Sequence, residues 1–263
     1  MNARPKKSFG QHFLHEKRYI ERIVSAISPR PDDFVVEIGP GEGALTLPLL
    51  AAAGKLTAIE LDTDLIPDLQ ARAASVGELS IIHSDVLKVD FTALAHRHGV
   101  ERLRVAGNLP YYISSPILFH CVEHASAIQD MHFMLQKEVV DRMAAEPGSK
   151  VYGRLSVMLQ LACRVEPLFN VPPGAFRPPP KVDSAVVRLV PLAPDQLPDA
   201  DPERIYTIVK AAFAQRRKTL GNALKNVMDA SAIMTADVDP KARAETLSPH
   251  DYVRLARVPH HGE

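Results

Sequence analysis

Several residue patterns that define common functional classes are missing from this chain of 263 residues. Its two cysteines, Cys121 and Cys163, lie 42 residues apart in apolar segments, so we expect two reduced core residues in a cytoplasmic protein. No apolar run approaches the length of a membrane span, and no apolar signal region follows the first residues, so we expect neither membrane insertion nor export. The eleven histidines do not form a Cys/His ligand pattern, and we expect no metal site.

An excess of charge of one sign is also absent, because 31 basic residues balance 31 acidic ones. A neutral chain argues against a surface that coats a polyanion over its whole area. Cations nevertheless cluster near the start of the chain and between residues 203 and 225, where Glu203 is the one acid. We predict RNA contacts of a defined shape from Lys6, Lys7, Arg216, Arg217, Lys218 and Lys225. The alternative is a solvated helix face.

A glycine-rich turn follows the first apolar strand, which covers residues 34–38. The glycines are Gly39, Gly41 and Gly43. A helical segment at 44–53 comes next, as in the opening βα unit of a Rossmann-like fold. The spacing differs from the dinucleotide fingerprint G-x-G-x-x-G, and carboxylates at Glu37 and Glu42 would repel a phosphate. The turn therefore favours a cationic ligand, such as the sulfonium of S-adenosylmethionine, over NAD.

Acidic residues stand at the ends of the next two predicted strands. Glu60 lies 21 residues after Gly39, where this architecture places an acceptor for ribose hydroxyls. Asp85 is placed to accept a hydrogen bond from an adenine amine, and the backbone N–H of Val86 can donate to the ring. The alternatives are a solvated carboxylate for Glu60 and a helix N-cap for Asp85.

A fourth strand ends in the tetrapeptide Asn108-Leu109-Pro110-Tyr111. Pro110 fixes its own φ and keeps Leu109 out of the helical region, so the backbone forms an extended bend. The side-chain oxygen of Asn108 and a backbone carbonyl can then accept both N–H bonds of a planar amine, such as N6 of adenine, while Tyr111 stacks on the ring. The alternative is an ordinary strand-to-helix turn.

These motifs, in this order and over nearly the whole chain, resemble the S-adenosylmethionine-dependent rRNA adenine N6-dimethyltransferases, in particular the KsgA/RsmA family of bacterial small-subunit enzymes. Residues 7–14 and 171–184 carry further matching segments. The resemblance implies dimethylation of N6 of two adjacent adenosines in a hairpin near the 3′ end of 16S rRNA, with a role in small-subunit biogenesis. It implies the small ribosomal subunit or its precursor as the partner, and a monomeric protein.

The resemblance also implies the site residues. The cofactor S-adenosylmethionine would contact Gln11, His12, Leu14, Gly39, Gly41, Glu60, Leu61, Asp85, Val86 and Asn108. The catalytic contacts to the adenine would come from Asn108, Leu109, Pro110, Tyr111 and Phe176. In this arrangement Phe176 stacks on the adenine opposite Tyr111. His12 departs from the pattern, because many members carry Asn there, although His can also form hydrogen bonds.

The fold that we expect is an α/β class I methyltransferase, with a Rossmann-like, mostly parallel sheet of seven strands and a small C-terminal all-α domain. The predicted strands lie near residues 34–39, 55–61, 79–84, 102–108, 131–136, 164–169 and 185–191. Residues 1–192 would form the catalytic domain, with an arm at 1–14, followed by a proline-rich linker at 193–202 and a helical domain at 203–263. Leu220, Leu224 and Val227 indicate a second helix in that domain.

Four alternative functions remain at this point. Large-subunit rRNA methylation of the resistance type uses the same chemistry, but the Asn-Leu-Pro-Tyr-Tyr form and the neutral charge favour the small subunit. Methylation of adenine in DNA or of glutamine in protein uses related motifs, but the helical domain and the arm argue against it. A ribosome-assembly factor without catalysis conflicts with the intact motifs. An NAD-dependent oxidoreductase conflicts with the glycine spacing.

Overall fold

The computed structural model describes residues 12–215 and 217–259 of a chain that divides into two compact units. The α/β unit comprises Met1–Val140 and Glu166–Pro191, and the helical unit comprises Asp141–Val165 and Leu192–Glu263. The sequence placed residues 141–165 in the catalytic domain. In the structure they belong to the helical unit, because Tyr152 and Val157 are buried in its apolar core.

A seven-stranded sheet forms the centre of the α/β unit, and a separate two-stranded sheet accompanies it. The strands are β1 (Phe13–Leu14), β2 (Val35–Ile38), β3 (Lys55–Glu60), β4 (Glu78–His83), β5 (Leu103–Asn108), β6 (Ile128–Gln136), β7 (Cys163–Val171), β8 (Phe176–Arg177) and β9 (Ser184–Pro191). The larger sheet has the order β4-β3-β2-β5-β6-β9-β7. Strands β2 to β6 pair in parallel and β9 pairs antiparallel with β6, so the mostly parallel sheet that the sequence predicted is confirmed.

Helices connect the parallel strands and build the second unit. They are α1 (Lys17–Ile27), α2 (Thr46–Ala53), α3 (Ile66–Ala73), α4 (Phe91–Arg97), α5 (Ser114–Glu123), α6 (Lys137–Met143), α7 (Arg154–Gln160), α8 (Pro202–Phe213), α9 (Leu220–Ala223), α10 (Ala230–Thr235) and α11 (Pro249–Arg257). Among the described residues, none of these helices has the length and apolar character that crossing a bilayer requires.

The parallel strands bring their carboxyl ends to one edge of the sheet, and two of them approach unusually closely there. All four residues of β2 are buried, as expected for a central strand covered on both faces. A Cβ atom on Gly107 would lie 2.5 Å from the carbonyl oxygen of Ile38, so only glycine fits between these strand ends. Gly107 thereby sets the position of the next residue, Asn108, at the end of β5.

A buried ion-pair cluster fixes the opposite end of β5. The guanidinium of Arg104 donates to Asp130 at 2.9 Å and to Asp33 at 2.7 Å. It also donates to the carbonyl oxygen of Ile27 at 2.6 Å, at the end of α1. The charge of Arg104 therefore has both ionic and hydrogen-bond partners, which a buried charge requires.

The small sheet of β1 and β8 holds the first described residues against the α/β unit. Leu14 pairs with Phe176 in antiparallel register, and the N–H of His15 donates to the carbonyl oxygen of Ala175 at 2.9 Å. Phe176 is 2% exposed and packs in the apolar core with Leu14. The pairing joins segments more than 160 residues apart in the chain.

The helical unit has an apolar core closed by two buried tyrosines. Tyr152 donates its hydroxyl to the carbonyl oxygen of Leu247 at 2.8 Å, and Tyr252 donates to that of Ala244 at 2.7 Å. Helix α8 contributes four buried apolar residues to this core, Ile205, Ile208, Val209 and Ala212. The second predicted helix is only four residues long, because α9 ends at Ala223 and Val227 lies beyond it.

Both cysteines are core residues, and no disulfide joins them. Cys121 lies on α5 and Cys163 begins β7. Burial raises the pKa of the Cys163 thiol to about 12, so this thiol is not a nucleophile at neutral pH. The prediction of two small, unreactive core residues fits this environment.

Candidate active site

A cleft of about 150 Å³ lies at the carboxyl ends of the parallel strands. Most of the predicted site residues meet in it. Those that line the cleft are His12, Leu14, Gly39, Gly41, Glu60, Leu61, Asp85, Val86, Asn108, Leu109, Pro110 and Tyr111. The edge of the sheet is where ligands of open α/β folds bind.

The glycine turn after β2 forms one wall of the cleft. Gly39 and Gly41 have φ angles of +66° and +55°, a region that side chains rarely adopt. A Cβ atom on Gly41 would lie 3.2 Å from the ring of Phe13, so the turn passes tightly beneath β1. The backbone can therefore approach a ligand without obstruction from side chains.

Glu60, at the end of β3, is held by the backbone around it. Its Oε1 accepts the N–H of Asp62 at 2.8 Å, and its Oε2 accepts the N–H of Gly41 at 3.2 Å. Glu60 is 6% exposed, and burial raises the pKa of its carboxyl. This is a positioned acceptor and not a solvated carboxylate. The carboxylate still has acceptor capacity for a ribose hydroxyl.

Glu37, in the middle of β2, gives the cleft an acidic floor. It is 1% exposed, and within the described residues its Oε2 has no hydrogen-bond partner. Burial raises the pKa of this carboxyl to about 7, and the negative charge of Glu60 contributes to the increase. None of the described lining residues is a lysine or an arginine. The floor therefore fits a cationic ligand, such as the sulfonium and amino groups of S-adenosylmethionine, and disfavours a phosphate.

Asp85 performs the local role that the sequence left as an alternative. Its Oδ1 accepts the N–H of Leu87 at 3.0 Å and caps the short turn that follows β4. The cap uses one of the two carboxylate oxygens, and Asp85 still lines the cleft. Capping fixes the side chain in one rotamer and is compatible with a second acceptor role.

The Asn108-Leu109-Pro110-Tyr111 segment leaves the sheet as an ordered bend. The N–H of Leu109 donates to the carbonyl oxygen of Met134 at 3.1 Å, and the side chain of Leu109 is buried. The carbonyl oxygen of Pro110 accepts the N–H of Ile113 at 3.2 Å. Asn108 donates from Nδ2 to the carbonyl oxygen of His12 at 3.1 Å, which leaves Oδ1 as the acceptor end of the amide.

Tyr111 is fixed at both its hydroxyl and its ring. Its hydroxyl lies 2.6 Å from the hydroxyl of Ser184, and burial raises the pKa of the phenol. The His12 ring stacks on Tyr111, with the centroids 5.6 Å apart and an interplanar angle of 29°. Nδ1 of His12 donates to the carbonyl oxygen of Pro178 at 2.8 Å. In this arrangement the first described residue covers one face of the Tyr111 ring.

Phe176 does not line the cleft, unlike the other predicted adenine contacts. The sequence predicted that it stacks on the base opposite Tyr111. In the structure its ring is buried beneath β1, because Leu14 pairs with it and covers it.

The predicted RNA contacts fall in two groups. Three of them, Arg217, Lys218 and Lys225, are exposed residues of the helical unit. The other predicted RNA contacts, Lys6, Lys7 and Arg216, lie outside the described residues, as does Gln11, which was predicted to contact the cofactor.

Sequence reasoning missed three residues of the cleft region. Ser184 anchors Tyr111 although it lies 73 residues away. Asp62 lines the cleft and supplies the N–H that holds Glu60, and Tyr112 lines the mouth with 61% of its surface exposed. A signal existed for Ser184, because it ends the proline-rich segment 171–184, but no pattern linked that segment to Tyr111.

Comparisons of the sequence with known proteins point to one family. The family model described as ribosomal RNA adenine dimethylase matches residues 2–259. Proteins of Xanthomonas euvesicatoria pv. vesicatoria (strain 85-10) and Xanthomonas axonopodis pv. citri (strain 306), both named ribosomal RNA small subunit methyltransferase A, are 61% identical over 257 residues. The alignments cover 98% of this chain and 97% of each relative.

Solved structures agree over most of the chain. A dimethyladenosine transferase from Plasmodium falciparum superposes with a TM-score of 0.79 and 26% identity, covering 93% of this chain and 96% of that one. The 23S rRNA methyltransferase ErmE superposes with a TM-score of 0.72 and 28% identity, covering 92% and 97%. The chain therefore belongs to the ribosomal RNA adenine dimethylase family.

Proposed function

We propose that this chain uses S-adenosylmethionine to dimethylate N6 of two adjacent adenosines in a hairpin near the 3′ end of 16S rRNA. The substrate is the small ribosomal subunit or its precursor, and the reaction contributes to small-subunit biogenesis. We expect a monomer that acts in the cytoplasm. The relatives that are 61% identical carry the name of a small-subunit enzyme, which supports this choice of subunit.

One observation carries the proposal: Asn108 stands at the end of β5 with its amide fixed, above a cleft whose floor is acidic. A methyl acceptor at Asn108 and a cationic donor over Glu37 would meet within this one cleft. S-adenosylmethionine, when bound, supplies a methyl group bonded to a positively charged sulfur. An amine nitrogen would attack the methyl carbon, and the sulfur would leave with the bonding electrons as a neutral thioether. Glu60 would hold the ribose hydroxyls, and Asp85 and Val86 the adenine ring of the cofactor.

The remaining residues act on the target adenine. Oδ1 of Asn108 and the carbonyl oxygen of Leu109 would accept the two N–H bonds of N6, since the Pro110 carbonyl already accepts from Ile113. The lone pair of N6 is normally delocalised into the ring. Two fixed acceptors favour a tetrahedral nitrogen and stabilise the positive charge that develops on it. The proton is lost to solvent afterwards, so no dedicated general base is needed.

Base stacking requires a rearrangement at the arm. The target adenine must leave its own stack to enter the cleft. The ring of Tyr111 faces His12 in this structure. We propose that the adenine displaces the His12 ring and stacks on Tyr111, while Ser184 keeps the phenol in place.

Methylation of large-subunit rRNA is the second candidate. The likeness to ErmE, a 23S rRNA methyltransferase, extends over 92% of this chain and supports the same chemistry. Identity is 28% to ErmE and 61% to the small-subunit relatives, which favours the small subunit. An assembly role without catalysis is the third candidate, and the intact cleft disfavours it.

The test uses tritiated S-adenosylmethionine and purified protein. Small subunits from a strain that lacks adenine dimethylation are the substrate, and large subunits and naked RNA are the controls. We expect label in N6,N6-dimethyladenosine from small subunits alone. Label in large-subunit RNA would move the chain to the second candidate. Cofactor binding without label in any RNA would favour the assembly factor.

A further inference from the structure

An exposed tyrosine in the helical unit carries two cations on its ring. Tyr206 lies on α8 and is 40% exposed, whereas Ile205 and Ile208 on the same helix are buried. The guanidinium carbon of Arg154 lies 6.0 Å from the ring centroid, and Nζ of Lys210 lies 5.8 Å from it. Two cations within reach of one ring place concentrated positive charge on an otherwise ordinary helix face.

Neither cation is neutralised. In the part of the chain that the structure describes, no ion pair links Arg154 or Lys210 to a carboxylate. Three other exposed cations of this unit do have acidic neighbours: Arg243 pairs with Glu245, Arg254 with Asp251 and Arg257 with Asp199. Two like charges repel each other, so their proximity costs free energy that an anion would offset. The aromatic ring limits the freedom of both side chains, which lowers the entropy lost when they bind a ligand.

The arrangement suits a phosphodiester backbone better than a base. An exposed ring could stack on a base, but both cations already lie over this ring. Arg and Lys are the residues that contact phosphate oxygens in most RNA and DNA complexes. Lys210 belongs to the basic stretch between residues 203 and 225, and Arg154, at the start of α7, adds a cation from outside that stretch.

We propose that Arg154 and Lys210, ordered by the ring of Tyr206, bind the phosphate backbone of the rRNA substrate. The identity of the RNA partner rests on the proposed function, whereas the arrangement of the three side chains is observed in the structure. It assigns a binding role to three residues that lie outside the cleft. Arg154 and Lys210 act as phosphate ligands, and Tyr206 acts as a positioning residue.

The salt dependence of binding tests this proposal. The dissociation constant for dimethylation-deficient small subunits is measured between about 50 and 200 mM salt. For each lost phosphate contact the slope of log K against log salt becomes shallower by about 0.7 to 0.9. We expect this change in Arg154→Ala and in Lys210→Ala. Tyr206→Leu should weaken binding, whereas Tyr206→Phe keeps the ring and should bind as the wild type does.

Lys17→Ala is the matched control, because Lys17 is also exposed but already pairs with Glu21. Arg154→Gln retains hydrogen bonding without charge and repeats the test if the alanine variant is poorly folded. If the salt-dependence slopes of both the Arg154 and the Lys210 variants equal that of the control, this inference is wrong, but the proposed function is unaffected. A wild-type chain that fails to bind small subunits would overturn both the inference and the proposed function.

Discussion

The two units of this chain bury different kinds of side chain. The α/β unit buries charged groups, including Glu37, Glu60, Arg104 and Asp130. Within the described residues of the helical unit, no charged side chain is buried, and the buried polar groups are the hydroxyls of Ser156, Tyr152 and Tyr252. Burial of charge costs free energy unless a partner compensates it. The α/β unit therefore accepts a cost that the helical unit avoids.

The α/β unit contains one cluster of buried charges that opposite charges balance and one cluster that lacks such a balance among the described residues. Arg104 is matched by Asp33 and Asp130, so its charge is balanced within the protein. Glu37 and Glu60 lie together without a cation among the described lining residues of the cleft. The first cluster serves the fold and is complete without a ligand. The second becomes complete when a cationic ligand binds, which marks it as the functional one.

The largest effect should come from Asn108→Ala in the α/β unit. Loss of one preorganised acceptor should reduce kcat by about 10³-fold, equivalent to about 4 kcal/mol. Cofactor affinity should fall far less than kcat, and stability should change little. Single-turnover methylation and cofactor titration measure the two quantities separately. Asn222→Ala, in the helical unit, is the control. A loss confined to cofactor affinity would refute the acceptor role.

Ile208→Ala tests the apolar character of the helical unit. Ile208 is fully buried in that core, and removal of its side chain should lower the free energy of unfolding by about 3 kcal/mol. Urea denaturation followed by circular dichroism measures the loss. Cofactor affinity should be retained, because the cleft lies wholly in the α/β unit. Equal losses of stability and of cofactor affinity under native conditions would contradict this separation.

Glu37→Gln tests the uncompensated charge in the cleft. The pKa of Glu37 is raised from 4.5 to about 7 in the folded state, so the folded state binds the proton more tightly than the unfolded state. Its contribution to stability therefore decreases as the pH rises from about 4.5 to 7. Without cofactor, the substitution should raise the free energy of unfolding at pH 8 by up to ~3 kcal/mol and change it little at pH 4.

The same substitution should weaken binding of S-adenosylmethionine, since the negative charge beneath the cation is lost. Isothermal titration at pH 8 measures this affinity, and the wild type should bind more weakly as the pH falls below 7. Glu78→Gln, at the exposed start of β4, is the control. Unchanged cofactor affinity in the Glu37→Gln variant would show that the acidic floor is not part of the binding site.

A matched pair of Tyr→Phe changes should give the smallest effects. Tyr111→Phe removes the bond to Ser184 but keeps the ring, so kcat/KM should fall about fivefold, near 1 kcal/mol. Tyr252→Phe leaves the buried carbonyl of Ala244 without its donor and should cost about 1 to 2 kcal/mol of stability. Each change should leave the other property intact. A loss of activity in folded Tyr252→Phe would break the comparison.

The elements of the cleft could be predicted because each has a local signature. The glycine turn, Glu60 and Asn108 each follow an apolar strand, and parallel strands place their carboxyl ends at one edge. The strand boundaries were read from short apolar runs, and the seven-stranded sheet followed from their alternation with helices.

The features that local patterns do not determine all depend on contacts between distant segments. Phe176 is covered by Leu14, and the hydrophobic pattern of neither segment reveals that pairing. Residues 141–165 carry apolar side chains that suit either unit, and only packing against α8 and α11 assigns them. The second helix of the helical unit ends at Ala223 although its apolar spacing continues, and the chain goes on as a hydrogen-bonded turn in which the N–H groups of Val227 and Met228 donate to the carbonyl oxygen of Leu224.

The bond from Nδ2 of Asn108 to the main-chain carbonyl of His12 has a consequence for chemical polarity. A primary amide keeps nearly the same outline when it rotates by half a turn, so packing alone does not choose which end faces the cleft. One orientation accepts a hydrogen bond from an incoming amine, whereas the other points its own N–H at that amine and repels it. The carbonyl at position 12 holds the amide in the accepting orientation, because it binds the Nδ2 end. Since that carbonyl belongs to the backbone, the hydrogen bond that orients the amide does not depend on which side chain stands at position 12.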